Sequence, residues 1–116
     1  MTNSTTSISH LQQLRFYMQK PRNVDIYIAC VAGRRIGYLL LRREETTTLI
    51  TEAVDESYRR AGVARRLVQY AQAIHANLTA EILSSNVASI RLHEAAGFTF
   101  TRAEGDVQSF RFSRTG

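Results

Sequence analysis

The chain has one cysteine, one proline and no tryptophan, and Lys20 is the only lysine among its fifteen basic residues. A lone Cys30 excludes an intrachain disulfide, and with no paired ligands near it in sequence it does not suggest a metal site. It lies in an apolar stretch and reads as a small core residue. No run approaches the ~18 consecutive apolar residues of a membrane span, so no membrane partner is expected. The opening residues are polar rather than signal-like, which points to a cytoplasmic protein.

What is present is arginine. Fifteen basic against ten acidic residues give a net charge of +5 and a calculated pI of about 10.0. A basic balance favours anionic partners without choosing among nucleic acid, acidic protein surfaces and a phosphorylated cofactor. The arginine pairs at 34 and 35, 42 and 43, 59 and 60, and 65 and 66 could touch phosphates, but no nucleic-acid motif accompanies them, so nucleic acid is not expected. At 116 residues and 44% hydrophobic content, the chain reads as one domain spanning residues 1–116, with residues 1–7 frayed.

The residues around Gly62 carry the clearest chemistry. A strand-like run ends at Val54, a polar turn follows, and a helical stripe of Val63, Leu67, Ala71, Ile74 and Leu78 begins. A helix N-terminus offers unpaired N–H groups and partial positive charge, and Gly62 and Ala64 keep the approach to it clear. Arg59, Arg60, Arg65 and Arg66 surround it with guanidinium groups suited to phosphate oxygens. The stretch reads as a pyrophosphate cradle. It matches neither the G-x-x-x-x-G-K-[ST] loop nor the G-x-G-x-x-G fingerprint.

Around this centre the pattern alternates. Ile8, Leu11, Leu14 and Met18 recur at helical spacing, with Ser7 able to cap and Pro21 setting a limit, which predicts a helix over residues 8–20. Residues 24–31 and 35–43 read as a hairpin turning near Gly33, and residues 46–54 as a third strand. Residues 79–83 form a strand parallel to the one before Gly62, reached by a right-handed crossover. Asn86 is placed to cap a helix running to Ala96, with Gly97 in a left-handed position. A final hairpin pairs residues 98–102 with 107–113. The fold class expected is mixed α/β, with a sheet of about six strands and helices on both faces.

Arg59-x-x-Gly62-x-Ala64 resembles the [QR]-x-x-G-x-[GA] signature of the GNAT superfamily of acyl-CoA-dependent N-acyltransferases. The hairpin at Gly33 to Tyr38, and Asn86 through His93 to Gly97-Phe98, resemble two further segments of that family, in the same order. The resemblance runs from about Val24 to the C-terminus. It implies acetyl-CoA as co-substrate, with the pantetheine arm along the backbone at Ala53, Val54 and Glu56 and the pyrophosphate on the amides from Arg60 through Ala61, Gly62 and Val63 to Ala64. Arg59 and Arg65 flank the phosphates, and Asn86 matches the family's asparagine on the opposite wall.

The activity implied is transfer of an acetyl group to a primary amine of a small molecule or protein. Such transfer needs a base for the amine and an acid for the departing thiolate. Glu52 is the carboxylate on the strand leading to the cleft. His93 falls where many family members carry the acid, with Tyr58 and Tyr70 as substitutes. The family's best-known base position falls near Thr48, which cannot serve. The family usually begins with a strand and two helices that shape the acceptor site, whereas one helix and no first strand are expected here. A second subunit or protein partner completing that side is one consequence. Another is a large substrate that sits across an open groove, and the third is a GNAT-fold binding protein that has given up transfer.

Overall fold

The computed structural model describes the backbone of residues 12–16 together with residues 22–59 and 61–114. Seven strands form one sheet in the order β1-β2-β3-β4-β5-β7-β6. They are β1 (Gln12–Phe16), β2 (Val24–Val31), β3 (Arg34–Arg43), β4 (Thr48–Val54), β5 (Asn77–Leu83), β6 (Thr99–Glu104) and β7 (Val107–Ser113). Two helices, α1 (Val63–Ile74) and α2 (Val87–Ala95), lie between β4 and β5 and between β5 and β6. All pairings are antiparallel except that of β4 with β5. The mixed sheet expected from the alternating runs is therefore present, with one strand more than expected.

The extra strand corrects the N-terminal reading. Residues 12–16, placed in a helix by the spacing of Leu11, Leu14 and Met18, pair antiparallel with β2 instead, from Gln12 opposite Cys30 to Phe16 opposite Ile26. Leu14 and Phe16 also fit a two-residue period, and the open edge of β2 supplies ladder partners that a short isolated helix lacks. A first strand is thus in place. What is shortened is its connection to β2, residues 17–23, where the family resemblance implies two helices. The rest of the expected helix, and residues 1–7, lie outside the described residues.

Cross-strand register gathers the core on one face. Leu39 pairs with Glu52 and Leu41 with Ile50, Ile50 with Ala80, and Ala80 with Phe110. Partners share a face, so these residues line up across the sheet. Val63, Leu67, Val68 and Ala71 of α1 pack on them and are fully buried. Each of the valine and leucine side chains stabilises the fold by about 1.5–3 kcal/mol. Helix α2 lies beside α1 on this same face. Gln72 Nε2 donates to the Ala96 carbonyl at 2.7 Å, and buried His93 packs edge-on against Phe98, which abuts Phe112. The two described helices thus share one face, where the sequence reading distributed helices over both.

Helix α1 also stops earlier than its stripe suggests. His75 takes an extended conformation after Ile74, and Leu78, expected on the helix, is a buried residue of β5. Asn86 and Gly97 behave as expected: the Asn86 side chain accepts from the Ser89 N–H, and Gly97 has φ 100°.

Strands β3 and β4 approach closely at Gly37, where an added Cβ would lie 2.6 Å from the Ala53 carbonyl oxygen. Gly37→Ala is therefore expected to destabilise the protein by about 1–3 kcal/mol, because the obstructing atom is backbone. Urea denaturation checks this: the midpoint falls with an unchanged slope. An unchanged midpoint would show that β4 moves freely away from β3.

Candidate active site

Strands β4 and β5 are joined only from Thr48 opposite Leu78 to Ile50 opposite Ala80. Past Ile50 they part, while β4 stays paired with β3 as far as Val54 and β5 stays paired with β7 as far as Leu83. The β4 edge from Thr51 onward thus faces a cleft instead of a strand. Alternation points Glu52 and Val54 toward the helices, and Thr51 and Ala53 away from them.

Two adjoining hollows occupy the gap. The larger, of about 600 Å³, is lined by Glu52, Ala53 and Val54 of β4, by Arg59, Gly62, Ala64 and Arg65 around the start of α1, and by Asn86, Ala88, Ser89 and Leu92 on the α2 side. The smaller, of about 220 Å³, lies in the fork itself and shares Glu52, Asn86 and Ser89 with the larger. His93 lines the smaller one.

The turn leading to α1 is built locally. Asp55 caps a 3-10 turn at Glu56–Tyr58 by accepting from the Ser57 N–H at 2.9 Å and the Ser57 hydroxyl at 2.7 Å. These hydrogen bonds to Ser57 hold the Asp55 carboxyl below its usual pKa, aided by the charges of Arg34 and Arg59. Arg59 Nε donates to the Val54 carbonyl at 3.5 Å and ties the turn to the strand end. Gly62 then caps α1 at φ 81°, a left-handed conformation that disfavours any side chain, and no side chain caps the helix start. The first-turn amides are left to an anion.

Most of the residues expected at the cofactor meet in the larger hollow: Ala53, Val54, Arg59, Gly62, Ala64, Arg65 and Asn86. Others do not line it. Glu56 is exposed in the 3-10 turn, Ala61 packs against the core, and the Val63 side chain is fully buried there, leaving only its amide. Arg60 lies outside the described residues. Ser89 and Leu92 are additions that the sequence reading missed; both belong to the expected 86–96 helix, and Ser89 stands one turn before His93.

Glu52 and His93, assigned separate roles on sequence, are partners. His93 Nε2 lies 2.9 Å from Glu52 Oε1, with the two side chains 2% and 8% exposed. Nδ1 faces the Ser89 carbonyl oxygen at 2.8 Å. A carbonyl can only accept, so Nδ1 carries a proton. Nε2 makes no regular hydrogen bond despite its closeness to Oε1, so its N–H is off line and charge holds the contact; Glu52 Oε2 is buried without a partner. Burial by itself lowers the His93 pKa, but the Glu52 carboxylate and the Ser89 carbonyl outweigh it, and the net shift is upward from 6.5. The Glu52 carboxylate thus favours the charged form of the imidazole.

The alternative acids are elsewhere. Tyr70 stacks edge-on against Tyr27 and Tyr58 packs against the core, and neither lines a hollow. Thr48 is buried in the paired part of β4, with its hydroxyl 3.4 Å from His75 Nδ1.

With this geometry in view, the comparisons decide the family. The model of the acetyltransferase (GNAT) family matches residues 3–98, most of the chain. The chain belongs to the GNAT family. No curated protein matches it. Among solved structures, a GNAT acetyltransferase from Elizabethkingia anophelis with acetyl-CoA bound aligns at TM-score 0.77 and 14% identity, over 89% of this chain and 97% of that one. A candidate streptothricin acetyltransferase from Bacillus anthracis, in complex with acetyl coenzyme A, gives 0.70 and 26%, over 84% and 65%. The GNAT domain of S. lividans PAT gives 0.74 and 20%, over 78% and 61%. This GNAT chain thus spans less than two thirds of the last two. Among its described residues no helix is long and apolar enough to cross a membrane.

The raised His93 pKa has a sign that can be checked. A group whose pKa is higher folded than unfolded stabilises fully below the unfolded value, here 6.5, and loses that contribution as pH rises through the folded value. Each unit of upward shift corresponds to about 1.4 kcal/mol. Thermal midpoints measured from pH 5.5 to 9 should fall more steeply for the wild type than for Glu52→Gln above pH 6.5. Parallel curves would contradict the ion pair.

Proposed function

We propose that this GNAT domain transfers an acetyl group from acetyl-CoA to a primary amine of a small molecule or protein, by direct attack. The observation that supports this best is a pair of adjoining hollows that together hold an uncapped helix start with two arginines at one end, open strand edge in the middle and a buried carboxylate–imidazole pair at the other. The residues fit the co-substrate in that order. The α1 amides, Arg59 and Arg65 suit the pyrophosphate. The β4 edge at Ala53 and Val54 suits the amide-bearing pantetheine arm, and Ala64 and Leu92 give it apolar wall. Asn86 uses its carbonyl oxygen on Ser89, leaving its NH₂ to donate to the arm.

At the fork, His93 acts as acid. Its Nε2 proton goes to the sulfur as the C–S bond breaks, and Glu52 keeps the imidazole charged and aimed. Glu52 also lines the fork and is the carboxylate nearest the incoming amine on the helix side.

Two outcomes test this. Calorimetric titration should show saturable acetyl-CoA binding that Gly62→Glu weakens about tenfold or more, since a carboxylate there fills and repels the phosphate site. His93→Phe should lower turnover, followed as free thiol, by about 10²-fold or more with acetyl-CoA affinity unchanged. Binding without any acyl transfer or thioester hydrolysis would favour a binding protein that keeps the fold. Absence of binding at millimolar co-substrate would end the proposal.

A further inference from the structure

The sheet carries a second apolar layer that the core does not use. Leu39, Leu41 and Ile50 face the helices, so alternation and register put Val24, Ile26, Ile28 and Cys30 of β2, with Tyr38 and Leu40 of β3, on the opposite face. None of these six belongs to the core cluster around α1. Val24, Ile28 and Cys30 are nonetheless only 8%, 8% and 5% exposed within a single chain, whereas Tyr38 on the next strand is 39% exposed. Strand side chains stand upright on the sheet, so neighbouring strands screen their flanks and leave their ends open. Burial as deep as that of Ile28 and Cys30 therefore needs a layer above β2. Among the described residues no helix or strand supplies one, because both helices lie on the other face.

Chain length decides where that layer comes from. Residue 60 leads into α1 on the helix side. Residues 115 and 116 follow β7, four strands or about 19 Å from β2, which two residues cannot cross. The link of residues 17–23 leaves β1 at Phe16, opposite Ile26, and re-enters at Val24. To lie over Cys30 it would run about 13 Å along the strand and about 20 Å back, against a fully extended reach of ~28 Å. It can roof the Val24 end only. Residues 1–11 remain, and they run directly into Gln12, which stands opposite Cys30. We infer that residues 1–11 fold back from Gln12 over the helix-free face and pack on Ile28 and Cys30 through Ile8 and Leu11. Eleven residues reach ~16 Å even as a helix, enough to cross β2 from the β1 edge. Because the burial belongs to one chain, it favours this segment over a second copy. The layer stops short of β4: Tyr38 and Ala53 are exposed and border an open hollow of about 370 Å³, with Ile28 on its β2 side. Residues 1–11 thus wall that hollow from the β2 side. The chain covers by itself the face that its short β1–β2 connection leaves bare, and this holds whether or not the domain transfers acetyl groups.

Cys30 is the only cysteine, so its reaction with iodoacetamide, followed by mass, reports the layer directly in the full chain. Alkylation should be slow in the wild type and about tenfold faster in the double variant Ile8→Asp, Leu11→Asp, with the circular dichroism of the two unchanged. Equal rates in the two folded proteins overturn the inference. If the double variant loses its circular dichroism, the wild type decides alone. With isoleucine and leucine methyls labelled with ¹³C, nuclear Overhauser cross-peaks are expected from Ile8 or Leu11 to Ile28. Absence of any such peak overturns the inference, as do peaks that appear only between differently labelled chains in a mixed sample, which would put a second copy on this face.

Discussion

The site depends on the parting of two parallel strands. Each is held harder by its other neighbour: β4 pairs with β3 from Thr48 to Val54 and β5 with β7 from Asn77 to Leu83, whereas β4 and β5 share only three residue pairs. The two strands part as soon as the pairing of Ile50 with Ala80 ends. An unpaired strand edge inside a fold would ordinarily be costly. Here it borders a cleft, where solvent or an extended ligand can satisfy it. The Gly37 contact keeps β4 on its β3 side of the fork, and the Gln72–Ala96 hydrogen bond fixes the spacing of the helices that roof it.

Charge is distributed along the cleft with a direction. At one end the partial positive charge of the α1 start adds to Arg59 and Arg65. At the other, Glu52, Glu81 and His93 surround the fork. A molecule with phosphate at one end and a neutral acyl group at the other is oriented by this gradient, and a cationic amine is drawn to the end the phosphates avoid. The net charge of +5 is therefore a poor guide to the fork, whose charged groups are few and local.

Local chemistry made part of this legible in sequence. The strand–turn–helix at Val54 to Val63, the Asn86 cap and the Gly97 stop are each set by residues close in the chain, and the structure places them as expected. The N-terminal segment was not legible, because Leu14 and Phe16 fit a strand as well as Leu11, Leu14 and Met18 fit a helix, and the deciding factor was the distant edge of β2. Leu78 continued a helical stripe until the extended His75 broke it. The pairing of Glu52 with His93 joins residues brought together only when α2 packs over the fork, and sequence could nominate each without showing that they meet.

The most direct test of the central claim, that the open β4 edge is the bed of the pantetheine arm, is amide hydrogen exchange over residues 51–54 with and without acetyl-CoA. Amides in this stretch that exchange quickly in the free protein should slow about tenfold or more when acetyl-CoA binds, with no comparable change on the β6 edge. Binding that leaves exchange at 51–54 unaltered would contradict it and place the ligand elsewhere.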